Sequence, residues 1–216
     1  MKQHELFRAS SVMAVGTILS RITGFIGSII VIATLGTALL ADAFNVANTM
    51  PNILYNLLVG GALTAIFVPQ LVRAFDDADG GHLFASRLLT TISGILLALV
   101  AIGVIFAPQL VYLYAPSFST PGFETEREIA IALTRYCLPQ IFFLGLFTIL
   151  GQIANARGSF APLMWAPIAN NLVVIAVFSA FLIKWPSVSV DSITSTQLQI
   201  LGWGSTIAIV VQALIL

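Results

Sequence analysis

Arg21 is the one charge in an otherwise uncharged apolar stretch, residues 10–41. A guanidinium at that depth in a membrane costs roughly 3 kcal/mol even on lenient insertion scales, so it needs an anionic or carbonyl partner in a bundle interior or a wet cavity. Its chemistry points to a pathway for something negatively charged. Asp42 lies just beyond the stretch and is a candidate partner.

A second pattern follows it. Asp42, Asn45, Thr49, Asn52 and Asn56 are spaced by three, four, three and four residues, with Asn48 beside them. At 100° per residue the five fall within an arc of roughly 80°, a single polar stripe on a helix. Lipid cannot satisfy such side chains, so the stripe must face protein or water. Helix–helix hydrogen bonding is the simpler explanation, at about 0.6 kcal/mol per contact. Four polar groups and a carboxylate are more than two helices need to adhere, which favours a cavity wall.

The helix that carries Arg21 repeats Gly16, Ser20, Gly24 and Ser28 every four residues, with Thr17 alongside. Small residues at this spacing admit a neighbouring helix, or leave room for a ligand. Arg135 is the other intramembrane cation. It lies about two turns from a helix end, where both snorkelling to the interface and ligand binding suit it.

The remaining polar residues have plainer readings. Glu124, Glu126 and Glu128, with Arg127, suit the positive end of a helix dipole. Asp76, Asp77 and Asp79 form a solvated turn, because no glutamate follows at the distance a calcium loop requires. His4 and His82 have no second His or Cys near them, and the single Cys137 lies in an apolar helix, so no disulfide framework exists within the chain. There is no phosphate loop, nucleophile elbow or metal-spaced motif, hence no support for an ATPase or a hydrolase and no expected cofactor.

The elements that hold these residues follow from composition. The 216 residues are 58% hydrophobic and 8% charged, against about 25% charged in a soluble domain. Residues 88–123, 136–156 and 158–183 carry no charge, and each exceeds the roughly 20 residues that cross a hydrocarbon core. The fold expected is all-α, a polytopic membrane bundle with helices near 10–36, 42–73, 85–113, 126–156, 160–184 and 197–216. The first is too long for a signal peptide's apolar region and is read as retained.

Pro51, Pro69, Pro108, Pro139 and Pro167 fall within or at the ends of these spans, as suits transporter helices and structural kinks alike. With the N-terminus in the cytoplasm, that side holds Lys2, Arg8, Arg73, Arg87 and Arg157, and the other only Arg127 and Lys184. This asymmetry favours a cytoplasmic N-terminus. A net charge of zero leaves no basic surface for nucleic acid. The last helix reaches Leu216 without a polar cap, which reads as a truncated product.

The run Ser20-Arg21-Ile22-Thr23-Gly24-Phe25, then Asp42-Ala43-Phe44, Pro51-Asn52-Ile53-Leu54, Gly61-Ala62 and Phe67-Val68-Pro69, resembles the start of the MurJ (MviN) family. These are lipid II flippases of the multidrug/oligosaccharidyl-lipid/polysaccharide exporter superfamily. A weaker echo continues through Pro139, Asn155, Phe160, Ala166-Pro167 and Asn171.

The resemblance implies a V-shaped bundle of about fourteen helices in two lobes. This bundle moves an undecaprenyl-pyrophosphate-linked peptidoglycan precursor across the bacterial inner membrane by alternating access. Residues 1–216 would be the N-terminal lobe, with the C-terminal lobe outside this chain. The family's functional arginine corresponds to Arg21, its acid to Asp42, and the basic residue before the helix-four proline to Arg135.

The chain also departs from the family pattern. Gly27, Tyr55, Asn56 and Gly60 stand where better-known members carry charges; the Tyr-Asn version is similar to actinobacterial members.

The function expected is a lipid II flippase, not an enzyme, with substrate contacts from Arg21, Asp42, Asn45, Thr49, Asn52, Asn56 and Arg135 and an unidentified coupling cation. The alternatives are an exporter of another polyprenyl-linked glycan or a drug, and a non-transporting scaffold or degenerate fragment.

Overall fold

Inside hydrocarbon a backbone must bond its own N–H and C=O groups, so apolar spans fold as helices and turn their apolar side chains outward. The computed structural model follows this rule over the residues it describes: 3–36, 39–57, 68–74, 79–157, 159 and 161–216. The chain is an all-α polytopic membrane bundle. Its α-helices are α1 (Gln3–Leu35), α2 (Leu39–Tyr55), α3 (Val68–Ala74), α4 (His82–Ile105), α5 (Ala107–Tyr114), α6 (Glu124–Cys137), α7 (Gln140–Ala156), α8 (Ala161–Lys184) and α9 (Ser195–Leu214). A 3₁₀ turn, Pro116–Ser119, separates α5 from α6.

Among the described residues five segments are long and apolar enough to cross a membrane: Met13–Leu35, His82–Ile105, Glu124–Asn155, Ala161–Lys184 and Ser195–Leu214. Large apolar side chains such as Ile22, Phe25, Leu97, Ile105 and Ile183 point out of the bundle, as lipid-facing residues do.

Two expected helices are divided at or near proline. Residues 85–113 break at Phe106, where Pro108 begins α5. Residues 126–156 break at Leu138–Pro139, where Ile141 N–H donates to the Leu138 carbonyl at 3.0 Å and Phe142 N–H to the Pro139 carbonyl at 3.2 Å. Proline has no N–H to give to the carbonyl four residues back, so the chain tightens into three-residue hydrogen bonds before α7 resumes. The helix expected over 42–73 appears as α2, a π turn at Asn56 and Leu57, and the short α3. Gly60, Gly61, Ala62 and Phe67 lie outside the described residues, as do Lys2, Asp76 and Asp77.

Polar groups define two helix starts. Asp79 accepts from Leu83 N–H at 2.8 Å and Gly81 N–H at 3.1 Å at the head of α4. Thr194 and Gln197 bond reciprocally at the head of α9, a capping box.

The core has two parts. One packs Phe44, Ala47 and Met50 of α2 with Ala130, Leu133 and Cys137 of α6, Phe178 and Phe181 of α8, and Leu201 of α9. The other joins Tyr55, Ile92, Leu96, Leu138, Ile141 and Ile149. Helix α1 lies along α8, α8 against α9, and α2 against α6, whereas α1 touches α2 sparingly. That last gap opens the space described next.

Candidate functional site

The small-residue stripe on α1 meets α8. A side chain at Gly16 would approach Trp165 Nε1 to 3.2 Å, and one at Gly24 would approach Asn171 Nδ2 to 3.3 Å. Close approach is the packing use of small residues. It lets Asn171 donate to the Ser20 carbonyl at 2.9 Å and to Thr23 Oγ1 at 3.0 Å. Asn171 fastens α8 to α1 at mid-membrane.

Beside this contact, between α1, α2 and α8, lies a cavity of about 660 Å³, within the range of about 300–1,000 Å³ that ligand pockets occupy. Its α1 wall runs from Gly24 through Ser28 to Leu35, and its α2 wall from Ala41 and Asp42 through Asn45 and Asn48 to Asn52. Gln140 and Leu144 of α7, Asn170, Asn171 and Phe178 of α8, and Ser205 and Gln212 of α9 complete it. Phe44 and Phe178, edge to face at 5.4 Å between ring centroids, belong to its apolar lining.

The break at Pro139 restarts the helix at Gln140, which is 1% exposed. Its amide nitrogen donates to Asn48 Oδ1 at 3.3 Å and Thr206 Oγ1 at 3.4 Å, and Thr206 donates to the Tyr136 carbonyl at 2.7 Å. Four helices, α2, α6, α7 and α9, are thus tied beside the cavity by a polar network that uses both Gln140 amide hydrogens, as a buried amide requires.

Of the residues expected from sequence, Asp42, Asn45 and Asn52 line the cavity together. Asp42 sits in the first turn of α2, where the helix dipole favours an anion. Thr49 does not line it but donates to Asn45 Oδ1 at 3.2 Å. Asn56 is exposed in the π turn, outside the lining. Arg135 is exposed at the last turn of α6, also outside the lining.

Arg21 is exposed and does not line the cavity. It projects within about 60° of Gly24 and Ser28 around α1, one turn short of the wall. The Arg21–Asp42 pair expected from sequence is not formed. Arg21 precedes Leu35, the last α1 residue of the lining, by 14 residues or about 21 Å of helix, whereas Asp42 lies in the first turn of α2. They mark opposite ends of the cavity.

The lining holds one carboxylate and, among the described residues, no Lys, Arg or His. Sequence reasoning missed Gln140, Asn170, Asn171, Ser205 and Gln212 as parts of one site. The signal was present as uncharged polar side chains inside charge-free stretches, which lipid cannot satisfy.

The model of one protein family, described as lipid II flippase MurJ, matches residues 31–216. The chain belongs to the MurJ family. The match takes in the end of α1 and everything from α2 onward, while Arg21 stands before it. The chain is similar to the probable lipid II flippase MurJ of Rickettsia prowazekii, at 28% identity over 90% of this chain and 39% of that protein. It is also similar to the lipid II flippase MurJ of Burkholderia cenocepacia, at 30% over 84% of this chain and 36% of that one. The probable lipid II flippase MurJ of Treponema pallidum matches at 24%, over 79% and 32% respectively. The chain therefore spans well under half the length of these curated MurJ relatives.

Proposed function

We propose that residues 1–216 act as the N-terminal lobe of a flippase for lipid II or a closely similar polyprenyl-diphosphate-linked glycan. The observation that carries this reading is the cavity, a polar space of about 660 Å³ walled by apolar membrane helices in a member of the MurJ family. A hollow lined by so many amides and a carboxylate suits the entry of a polar cargo. The protein is a transporter and not an enzyme, sits in the bacterial inner membrane with a cytoplasmic N-terminus, and works by alternating access against a second lobe. The excess of Lys and Arg on the proposed cytoplasmic side supports the orientation.

In this reading Arg21 meets the diphosphate at the end of the cavity, since a guanidinium fork suits phosphate oxygens. Asp42 at the far end meets a hydroxyl or a coupling cation. Asn45, Asn52 and, through Asn45, Thr49 shape the wall between them. Asn56 and Arg135 contribute from outside the wall.

The test is complementation of a flippase-depleted strain with the full gene product. Growth with the unaltered protein and none with Arg21→Ala at equal membrane abundance is the expected result. Failure of the unaltered protein to restore growth or to bind lipid II sinks the flippase reading, and normal growth with Arg21→Ala removes Arg21 from it.

A further inference from the structure

Pro108 has no N–H to give to the carbonyl four residues back, and the apolar helix begun at His82 divides at Phe106, where φ is −93° and ψ 17°. Beside the break lies a crevice of about 140 Å³. Leu54 of α2, Leu99 and Ile102 of α4, Phe106, Leu110 of α5 and Ile141 of α7 wall it. Among the described residues no lining side chain is polar, and none is shared with the polar cavity.

The crevice is continuous with the lipid-facing surface of the bundle. Ile102 and Phe106 are 54% and 50% exposed, whereas Ile141 is buried. Gly103, which also lines it, precedes Tyr112 by nine residues, about 13 Å of helical rise. Tyr112 and Tyr114 are exposed at the end of α5, and tyrosines beside a membrane span sit at its interface. Half of a hydrocarbon core measures about 15 Å. The crevice therefore lies at the depth of the chain ends of one leaflet, the leaflet that flanks α5.

Water finds no partner in such a place. An engineered dry cavity of about 150 Å³ in another protein takes up benzene, so a hollow of this size accepts a run of about six chain carbons. A chain walled by α2, α4, α5 and α7 meets more close neighbours than one in fluid bilayer, and these dispersion contacts add up.

We propose that the α4–α5 crevice is an acyl-chain site, which holds the far end of one phospholipid chain from the leaflet flanking α5. The occupant is a bilayer phospholipid because the crevice opens directly on the lipid surface and shares no residue with the polar cavity. Once seated, the chain wedges the break and fixes the angle between α4 and α5. The site depends on the membrane placement of these helices and not on the cargo.

The test uses the full gene product in nanodiscs of phospholipid carrying a photoreactive diazirine, either near the chain end or close to the headgroup. The chain-end label should mark Ile102, Phe106 and Ile141 about fivefold more than Leu97 and Ile105, the scale that about ten added dispersion contacts give. Leu97 and Ile105 are the controls because both are exposed on α4 outside the lining. The headgroup label should mark Tyr112 and Leu113 instead. Leu99→Phe, which fills the crevice, should erase the excess at an unchanged unfolding temperature.

Even marking of Ile102, Phe106, Leu97 and Ile105 by the chain-end label overturns the site, as does an excess that persists in a folded Leu99→Phe protein. If that variant does not fold, the contrast between the two labels on the unaltered protein decides alone. Displacement of the label by undecaprenyl phosphate, and not by unlabelled phospholipid, gives the crevice to a polyprenyl tail and overturns the phospholipid assignment.

Discussion

The Tyr55 hydroxyl donates to Thr148 Oγ1 at 2.7 Å, joining α2 to α7 outside the cavity lining. Thr148 passes its own hydrogen to the Leu144 carbonyl at 3.0 Å, so the chain of donors ends within the helix. Tyr55 is buried among Leu88, Leu138 and Ile141. A position that reads in sequence as a missing cation is, in this chain, a core position that fixes one helix on another.

Tyr55→Phe should keep the ring packing and lose one hydrogen bond, costing about 0.5–1.5 kcal/mol. Thermal unfolding in detergent checks this, and glycan-lipid binding should be unchanged. A loss of binding without a loss of stability would place Tyr55 at the ligand instead.

Gln140→Leu should cost about 1–3 kcal/mol, because Asn48 Oδ1 and Thr206 Oγ1 each lose a donor. Asn48→Ala alone leaves Gln140 its bond to Thr206 and should cost less. The comparison is made by chemical denaturation of the two variants side by side.

Arg21 and Asp42 stand at opposite ends of the cavity, so their effects on transport should add. A double-mutant cycle with Arg21→Ala and Asp42→Asn should give a coupling energy within about 0.5 kcal/mol of zero, the range for distant independent sites. A coupling of about 2 kcal/mol would mean that they pair in another state of the cycle.

Two glycines should behave oppositely. A Cβ at Gly27 would lie 3.7 Å from Ile175 Cγ1 and 3.9 Å from Val174 Cγ1, ordinary contact distances, so Gly27→Ala should be tolerated. A Cβ at Gly202 would lie 2.5 Å from Tyr136 Cβ, which cannot swing aside. Gly202→Ala should therefore cost about 1–3 kcal/mol by overpacking, read as a lower unfolding temperature.

Asp79, outside the spans, has its carboxyl pKa held below the usual range by the Leu83 N–H, then by the Gly81 N–H. A lowered folded-state pKa means its contribution is full above the unfolded value and is lost as pH falls through the folded one. The protection factor of the Leu83 amide, its exchange rate corrected for the intrinsic pH dependence, should fall on acidification through that interval. Asp79→Ala should show little protection at neutral pH and no further acid-dependent loss.

Much of the bundle is legible because membrane helices announce themselves by length and apolarity, and the α2 stripe gave up Asp42, Asn45 and Asn52 through spacing alone. Two kinds of information were not local. Arg21 and Asp42 look close in sequence, but α1 runs 14 residues past Arg21 to Leu35 before α2 begins, which separates them. Gln140 and Gln212 belong to the cavity because α7 and α9 pack there, and no spacing within either helix says so. Asn56 shares the stripe's angle but falls in a π turn, where 100° per residue no longer applies.

The Asn171 bonds to Ser20 and Thr23 make α1 and α8 one mechanical body, while α1 grips α2 little. At the end of α1 Gly36 adopts φ +74°, a left-handed conformation that glycine takes without strain. The cavity is therefore bounded by a stiff double arm on one side and by α2 on the other, and the edge-to-face contact of Phe44 with Phe178 braces α2 directly against that arm.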